Sequence, residues 1–323
     1  MGNDITDVML DCLNSGKILK SINLTHIALI PKIKSPECLS QFRPISLCNV
    51  LYKIVSKLLS NRLRSIMPLI ISDSQSAFVP GRLISDNILV ALEMLHSLKN
   101  RRRGGSKFMA IKLDMNKAYD QVEWGYLEAI MIKMGFNLQW TSLIMECISS
   151  VSYSVLLNGD PKGWIMPKRG LRQGDPLSPF LFLLCAEGLS ALLRKAESDR
   201  IITGATLSRR GPKILHLFFA DDSLLFCKAS LRESLALKDI LHQYEQASGQ
   251  KLNKEKTGMF FSSNTEEQLR FSLSNLFGAS LNTNIARYLG LPSLVGRAKK
   301  RVFEDVKSRV WQKLQGWKGK LLS

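Results

Sequence analysis

Three aspartates are placed where they could do chemistry. Asp221 and Asp222 are adjacent inside L-F-F-A-D-D-S-L-L-F, residues 217–226, between two short apolar runs free of Gly and Pro. That pattern predicts strand, acidic turn, strand, with both acids at a hairpin tip. Neighbouring carboxylates repel, and a fold that fixes them on a rigid turn usually offsets the charge with a cation. An ordinary polar turn is the other reading of the pair, because Asp is a common turn former. Asp114 follows a second apolar run, F-M-A-I-K-L from Phe108 to Leu113, which predicts a buried strand ending in a carboxylate. Three carboxylates from neighbouring strand ends can hold two Mg2+ about 4 Å apart, one at an attacking oxygen and one at a leaving phosphate. That chemistry is phosphoryl or nucleotidyl transfer.

Composition supports hard-cation chemistry. The chain has only four histidines, and its six cysteines are scattered with no C-x-x-C pair. Zinc and a disulfide framework are both disfavoured, and reduced thiols in an intracellular compartment fit best. Lys plus Arg number 45 against 27 Asp plus Glu, a net charge of +18, so a polyanion is the first partner to expect. No apolar run approaches the roughly 18 residues needed to cross a bilayer. At 323 residues the chain can bury one large core or two to three smaller ones.

The elements that must position these acids can be read in order. A short amphipathic helix is predicted over 7–14, an extended segment over 24–33, a polar loop, a second extended segment at F-R-P-I-S-L (42–47), and a helix over about 49–67. Pro44 forces Arg43 into an extended conformation, so Lys32 and Arg43 lie near the ends of two loop-linked extended segments. Two cations so placed suit a phosphate clamp or a solvated face. Q-S-A-F-V-P-G-R (75–82) reads as turns, followed by a helix over about 85–98 and a basic connector over 99–105. A helix with Trp124, Leu127, Ile130, Met131 and Met134 on one face stops at Gly135. Asn158-Gly159 predicts a hairpin with a returning strand over 163–168. R-G-L-R-Q-G-D-P-L-S-P-F-L-F (169–182) is a Gly-rich turn feeding a buried helix over 179–194. A helix over about 231–247, a compact turn at R-Y-L-G-L-P (287–292) and a final helix over about 300–314 complete the chain.

Several of these stretches together resemble a known family. L-I-P-K (29–32), F-R-P-I-S-L, Q-S-A-F-V-P-G-R, L-D-M-N-K-A-Y-D around Asp114, R-G-L-R-Q-G-D-P-L-S-P, F-A-D-D (219–222) and R-Y-L-G-L-P look like the ordered motifs of a reverse transcriptase of the LINE-type non-LTR retrotransposons, most similar to the plant kind. The resemblance covers nearly the whole chain. It implies an α+β, right-hand polymerase architecture: fingers over 1–105, a palm over 106–295 built on an antiparallel sheet backed by helices, and a truncated thumb over 296–323.

The resemblance also implies roles. Asp114, Asp221 and Asp222 match the catalytic, metal-binding triad, with Asp222 the less direct ligand of two Mg2+, for which Mn2+ is a substitute. Lys32 and Arg43 match cations that hold the triphosphate, and Tyr119 matches the aromatic under the sugar that excludes a 2′-hydroxyl. Arg172, Gln173 and Gly174 match the loop and helix supporting the templating base pair. Lys256 matches a lysine near the triphosphate, and Tyr288, Leu289 and Gly290 match a hairpin that grips the primer end. Expected partners are an RNA template, a DNA primer and deoxynucleoside triphosphates, with no membrane and no obvious protein partner. The expected setting is intracellular, nucleus or cytoplasm. A parent polyprotein would add an endonuclease and a fuller thumb. A remnant that only binds RNA is the competing reading; maturases are disfavoured by the match of R-Q-G-D-P-L-S-P and Y-L-G-L-P, and viral RNA polymerases by Tyr119 and Ala220.

Overall fold

The computed structural model describes residues 2–101, 105–208, 211–279, 287–292 and 299–318. In chain order the elements are α1 (Gly2–Ser15), β1 (Leu24–Pro31), β2 (Phe42–Cys48), α2 (Val50–Ile70), α3 (Ile84–Asn100), β3 (Phe108–Leu113) and β4 (Met115–Asn116). Then follow α4 (Trp124–Lys133), α5 (Leu138–Ser149), β5 (Ser152–Leu157), β6 (Asp160–Ile165), α6 (Ser178–Ser198), β7 (Ala205–Thr206) and β8 (Lys213–Ile214). The remainder comprises β9 (His216–Phe219), β10 (Asp222–Lys228), α7 (Leu231–Ser248), β11 (Lys251–Leu252), β12 (Gly258–Phe261), α8 (Glu267–Phe277), β13 (Arg287–Tyr288), β14 (Leu291–Pro292) and α9 (Lys299–Lys318). None of the described helices is long and apolar enough to cross a membrane.

The chain forms two compact units that interleave in sequence. The first comprises Met1–Arg82, Met115–Leu193 and Asp239–Leu252. Its sheet runs β2-β1-β5-β6, with β1 antiparallel to β2 and parallel to β5. Helix α2 buries Val55, Leu59, Leu63 and Met67, a four-residue spacing that keeps one stripe inward. Asn49 caps it by accepting a hydrogen bond from the Leu51 N–H, and it ends two residues after Pro68. Leu127 and Met131 of α4, Ile144 and Cys147 of α5, and Leu181, Leu184 and Cys185 of α6 share that core.

The second unit comprises Leu83–Asp114, Arg194–Lys238 and Asn253–Ser323. Its main sheet runs β12-β3-β10-β9 and is antiparallel throughout. Strand β3 has neighbours on both sides and apolar residues on both faces, with Lys112 its one half-buried position. Ala91, Met94, Leu95 and Leu98 of α3 pack in one cluster with Phe108, Ala110, Leu224 and Phe226. An antiparallel sheet backed by a helix is the arrangement expected for the catalytic region.

Four expectations change. Helices α5 and α8 were not legible as such. The strand returning from Asn158-Gly159 begins at Asp160 and ends at Ile165, so 166–168 lie beyond it. Residues 102–104 of the basic connector lie outside the described residues. Helix α9 extends to Lys318, and Val310 and Leu314 on it are exposed.

Candidate active site

In the second unit, strand pairing delivers the acids. Leu113 of β3 pairs with Ser223 of β10, and the next step of that register sets Asp114 opposite Asp222. Asp222 also pairs with Phe219, so Ala220 and Asp221 alone form the tip of the β9–β10 hairpin. Ala220 has φ +53°, a left-handed conformation that L-residues adopt at a cost. Both flanks explain why the tip holds: Leu217, Phe218, Leu224, Leu225 and Phe226 are buried. Asp221 is exposed, whereas Asp114 and Asp222 are half-buried.

The electrostatics follow from that placement. The Asp222 carboxyl is pushed above its ordinary value by burial first, with the charges of Asp221 and Asp114 adding to the rise and Lys112 opposing it. Lys112 lies two residues before Asp114, so strand alternation sets both on one face of β3. It is a partner to the acids that sequence reading passed over, although a lone Lys in an apolar strand is the signal that could have found it. Among the described residues no three acidic, His or Cys side chains are grouped closely enough to hold a metal ion as they stand. The donor set nonetheless fits a hard divalent cation: oxygen ligands only, at one sheet end, with a carboxylate whose charge is disfavoured until something neutralises it.

Lys256 and the hairpin at 287–292 belong to the same unit. The Asn253 N–H donates to the Asp114 carbonyl at 2.8 Å, and the Lys256 N–H donates to Asn253 Oδ1 at 3.2 Å, which ties this turn to the end of β3. The Lys256 side chain is exposed. β13 and β14 join through Leu289 (φ +48°) and Gly290 (φ +82°), a two-residue turn with both φ positive. Tyr288 is only 2% exposed, and its phenol is pushed up by burial and then by the charge of Asp222. The contact expected of Tyr288 is therefore not available to a primer in this conformation; among residues 288–291 the exposed one is Gly290.

The first unit holds the remaining candidates. Arg43 pairs with Ile30 across β1–β2, and the Lys32 N–H donates to the Gln41 carbonyl at 2.8 Å, so both cations sit at one end of the strand pair. Both side chains are exposed, and Lys32 Nζ donates to the Ser40 carbonyl at 2.9 Å. The Ser46 N–H donates to the Gln173 carbonyl at 2.8 Å, and the Leu171 N–H to the Tyr119 carbonyl at 2.8 Å. Backbone hydrogen bonds thus link β2, the Gln173 loop and the Tyr119 segment. The Tyr119 ring stacks on Phe182 with centroids 4.7 Å apart, which leaves it half-buried and fixed in plane. The nearby Asp120 carboxyl is raised by burial and pulled back by Lys117 and Lys32. Gly170 and Gly174 are needed as glycines. Their φ values are +93° and +103°, and a Cβ at Gly170 would stand 2.8 Å from the Asp120 carbonyl oxygen.

Arg172 departs from expectation. It is 3% exposed, and its guanidinium is spent inside the protein: Nε pairs with Asp175 at 3.1 Å, one terminal nitrogen donates to Asn23 Oδ1 at 2.5 Å, and the other to the Cys147 carbonyl at 2.7 Å. It also lies 3.8 Å over the Tyr52 ring. Asp175 accepts from Tyr52 Oη at 2.8 Å and from Ser56 Oγ. Arg172 cannot reach a template from there; it anchors the loop that carries Gln173. Asp175 and Tyr52 went unread because their value lies in a contact between residues 123 apart in sequence.

Comparison with known proteins bears on the arrangement of acids and loops just described. Residues 30–293 match the model of the reverse transcriptase (RNA-dependent DNA polymerase) family. The chain belongs to the reverse transcriptase family. This reverse transcriptase domain is 29% identical over 321 residues, 99% of its length, to a transposon TX1 uncharacterized 149 kDa protein of Xenopus laevis, of which it spans 24%. It is 30% identical over 249 residues, 75% of its length, to a retrovirus-related Pol polyprotein from a type-2 retrotransposable element of Drosophila melanogaster, of which it spans 22%. A shorter stretch of 68 residues, 21% of the chain, is 53% identical to 56% of an uncharacterized mitochondrial protein of Arabidopsis thaliana. Among solved structures it shares its fold with the telomerase of Candida tropicalis in complex with a fragment of telomeric RNA, at 14% identity and a TM-score of 0.53 over 95% of this chain and 52% of that one. The α+β polymerase fold expected from the motifs is thereby met.

Proposed function

We propose that this chain is the reverse transcriptase domain of a plant LINE-type non-LTR retrotransposon, and that it joins deoxynucleotides to a primer 3′ end under the direction of an RNA template. The observation that carries the reading is the strand register that sets Asp114 across from Asp222 with Asp221 at the hairpin tip beside them. The identity with the Arabidopsis protein supports the plant assignment. The fingers, palm and thumb assignments over 1–105, 106–295 and 296–323 belong to this reading, as does a working place inside the cell, in nucleus or cytoplasm.

Asp114 and Asp221 would hold two Mg2+, or Mn2+ in their place, with Asp222 contributing less directly. When bound, such ions lower the pKa of the primer hydroxyl and neutralise charge on the phosphates. The chain's own groups do the rest. Lys32 and Arg43 hold the triphosphate through charge-assisted hydrogen bonds, which position the nucleotide without specifying its base. Tyr119, locked by Phe182, lies under the sugar and leaves no room for a 2′-hydroxyl. The primer 3′ oxygen gives its proton to solvent water and bonds to the α-phosphorus, the bond to pyrophosphate breaks, and Lys256 supplies a proton to that leaving group. Gln173 and Gly174 support the templating pair, with Arg172 acting through the loop. Leu289 and Gly290 approach the primer, with Tyr288 supporting the hairpin from inside.

A primer annealed to RNA, with Mg2+ and deoxynucleotides, is extended by the purified chain, and Asp221→Asn abolishes extension. Equal extension by the variant overturns the assignment. The net charge of +18 favours one second reading, a remnant that only binds RNA. It predicts binding without turnover by the parent chain.

A further inference from the structure

In the first unit, the turn Ser248-Gly249-Gln250 runs from the last residue of α7 to β11, whose Lys251 pairs with Asn116 of β4. The turn lies against the segment that carries Tyr119. The Glu123 N–H donates to the Ser248 carbonyl at 2.9 Å, and a Cβ at Gly249 would stand 2.6 Å from the Gln121 carbonyl oxygen. Gly249 also has φ +74°, so only glycine allows both the turn and this close approach.

Gln250 is 1% exposed, and an amide buried that deeply must find its partners inside the protein. Its Nε2 donates to the Ala118 carbonyl at 2.9 Å, and its Oε1 accepts from the Tyr244 hydroxyl. Tyr244 is buried as well, and burial pushes its phenol well above the ordinary value, so it remains a donor. Its hydroxyl also reaches the Cys185 carbonyl at 3.4 Å. Cys185 lies about one helical turn after Phe182 on α6, and Phe182 is the ring on which Tyr119 stacks. The contacts therefore close a circuit: Ala118 carbonyl, Gln250 amide, Tyr244 hydroxyl, α6, the Phe182 ring and the Tyr119 ring. Beyond Ala118, the Tyr119 carbonyl itself accepts from the Leu171 N–H at 2.8 Å.

A ring that excludes a single hydroxyl must be held to within about 0.5 Å, and such precision comes from the groups that support it. We propose that Gln250, braced by Tyr244, is a positioning residue that fixes the Tyr119 ring and thereby sets the preference for deoxyribose over ribose. Gln250 acts only through Ala118 and Tyr119. The sugar preference rests on the polymerase reading; the bracing of Tyr119 rests on the hydrogen bonds alone.

Two measurements on the full chain test this. Gln250→Leu roughly keeps the side-chain size, removes both hydrogen bonds and leaves the Ala118 carbonyl unpaired. Tyr244→Phe removes one hydroxyl and spares the packing, which keeps the test open if Gln250→Leu does not fold. In hydrogen–deuterium exchange, both variants speed exchange of the Leu171 and Glu123 amides, by about tenfold for Gln250→Leu, while the amides of α2 stay as protected as in the parent. In primer extension, the ratio of kcat/KM for a deoxynucleotide to that for the matching ribonucleotide falls about tenfold in Gln250→Leu and in the same direction in Tyr244→Phe. Tyr119→Val removes the ring, and adding Gln250→Leu to it lowers the ratio no further. Parent-like exchange at Leu171 and Glu123 in both variants overturns the bracing, whether or not the chain polymerises. A parent-like sugar ratio in both, or a further fall in the Tyr119→Val background, overturns the role in sugar selection. A parent that extends no primer removes the polymerase reading and the sugar role with it, and the exchange data then still decide the bracing.

Discussion

At the scale of single residues, Asp222 records the conflict built into the site. Burial and two neighbouring carboxylates raise its pKa above the ordinary 3.8, so its charged form opposes folding. For a carboxyl raised in the fold, that cost is full above the folded pKa and vanishes as pH falls below the unfolded value. Asp222→Asn should therefore raise the melting temperature of the metal-free chain at pH 7, by about 1 to 2 °C for a half-exposed group. The gain should shrink as pH falls toward 4, and primer extension should be lost. Added Mg2+ should stabilise the parent more than the variant, because the proposed site binds it only in the folded state. Thermal melts across pH check both statements, and a variant that melts below the parent at pH 7 contradicts them. Lys112 acts on Asp222 in the opposite sense to the neighbouring acids.

At the scale of elements, the buried Arg172–Asp175 pair sets the loop before α6. Removing one partner of a buried ion pair leaves the other uncompensated, at a cost of about 3 kcal/mol or more. Asp175→Asn should lower the melting temperature by roughly 5 to 10 °C. Combining it with Arg172→Met should recover most of that loss, because the stranded charge is gone. Denaturant titrations of the two single variants and the double close the cycle, and additive losses would show that the two side chains are not coupled. The elements themselves were unequally legible. β3, α2 and the β9–β10 hairpin could be read because burial imposed their periodicity. β6 could not be placed correctly, since all six of its residues are exposed and only pairing with β5 holds it. α8 hid because Leu269, Phe271 and Leu273 alternate with polar residues like a strand, while the helix buries Leu273, Ser274 and Phe277. The acids were legible as types and spacing; the spent guanidinium of Arg172 and the buried Tyr288 were not, because burial depends on partners distant in sequence.

At the scale of the whole molecule, a net charge of +18 coexists with a proposed catalytic centre made of acids. These two features predict separable behaviour. Affinity for single-stranded RNA should come from the distributed cations and fall with salt as counterions are released; about five contacted phosphates give a log–log slope near −3.5 and a roughly hundredfold loss between 50 and 200 mM salt. Removing a carboxylate takes no part in that term and relieves repulsion with the phosphates. Asp221→Asn, which is expected to abolish extension, should then bind RNA at least as tightly as the parent and with the same salt slope. Anisotropy titrations at several salt concentrations measure this directly. Weaker RNA binding by Asp221→Asn, in Mg2+-free buffer, would mean that the exposed hairpin tip holds the nucleic acid through its carboxylate, and would overturn this separation of affinity from the acids.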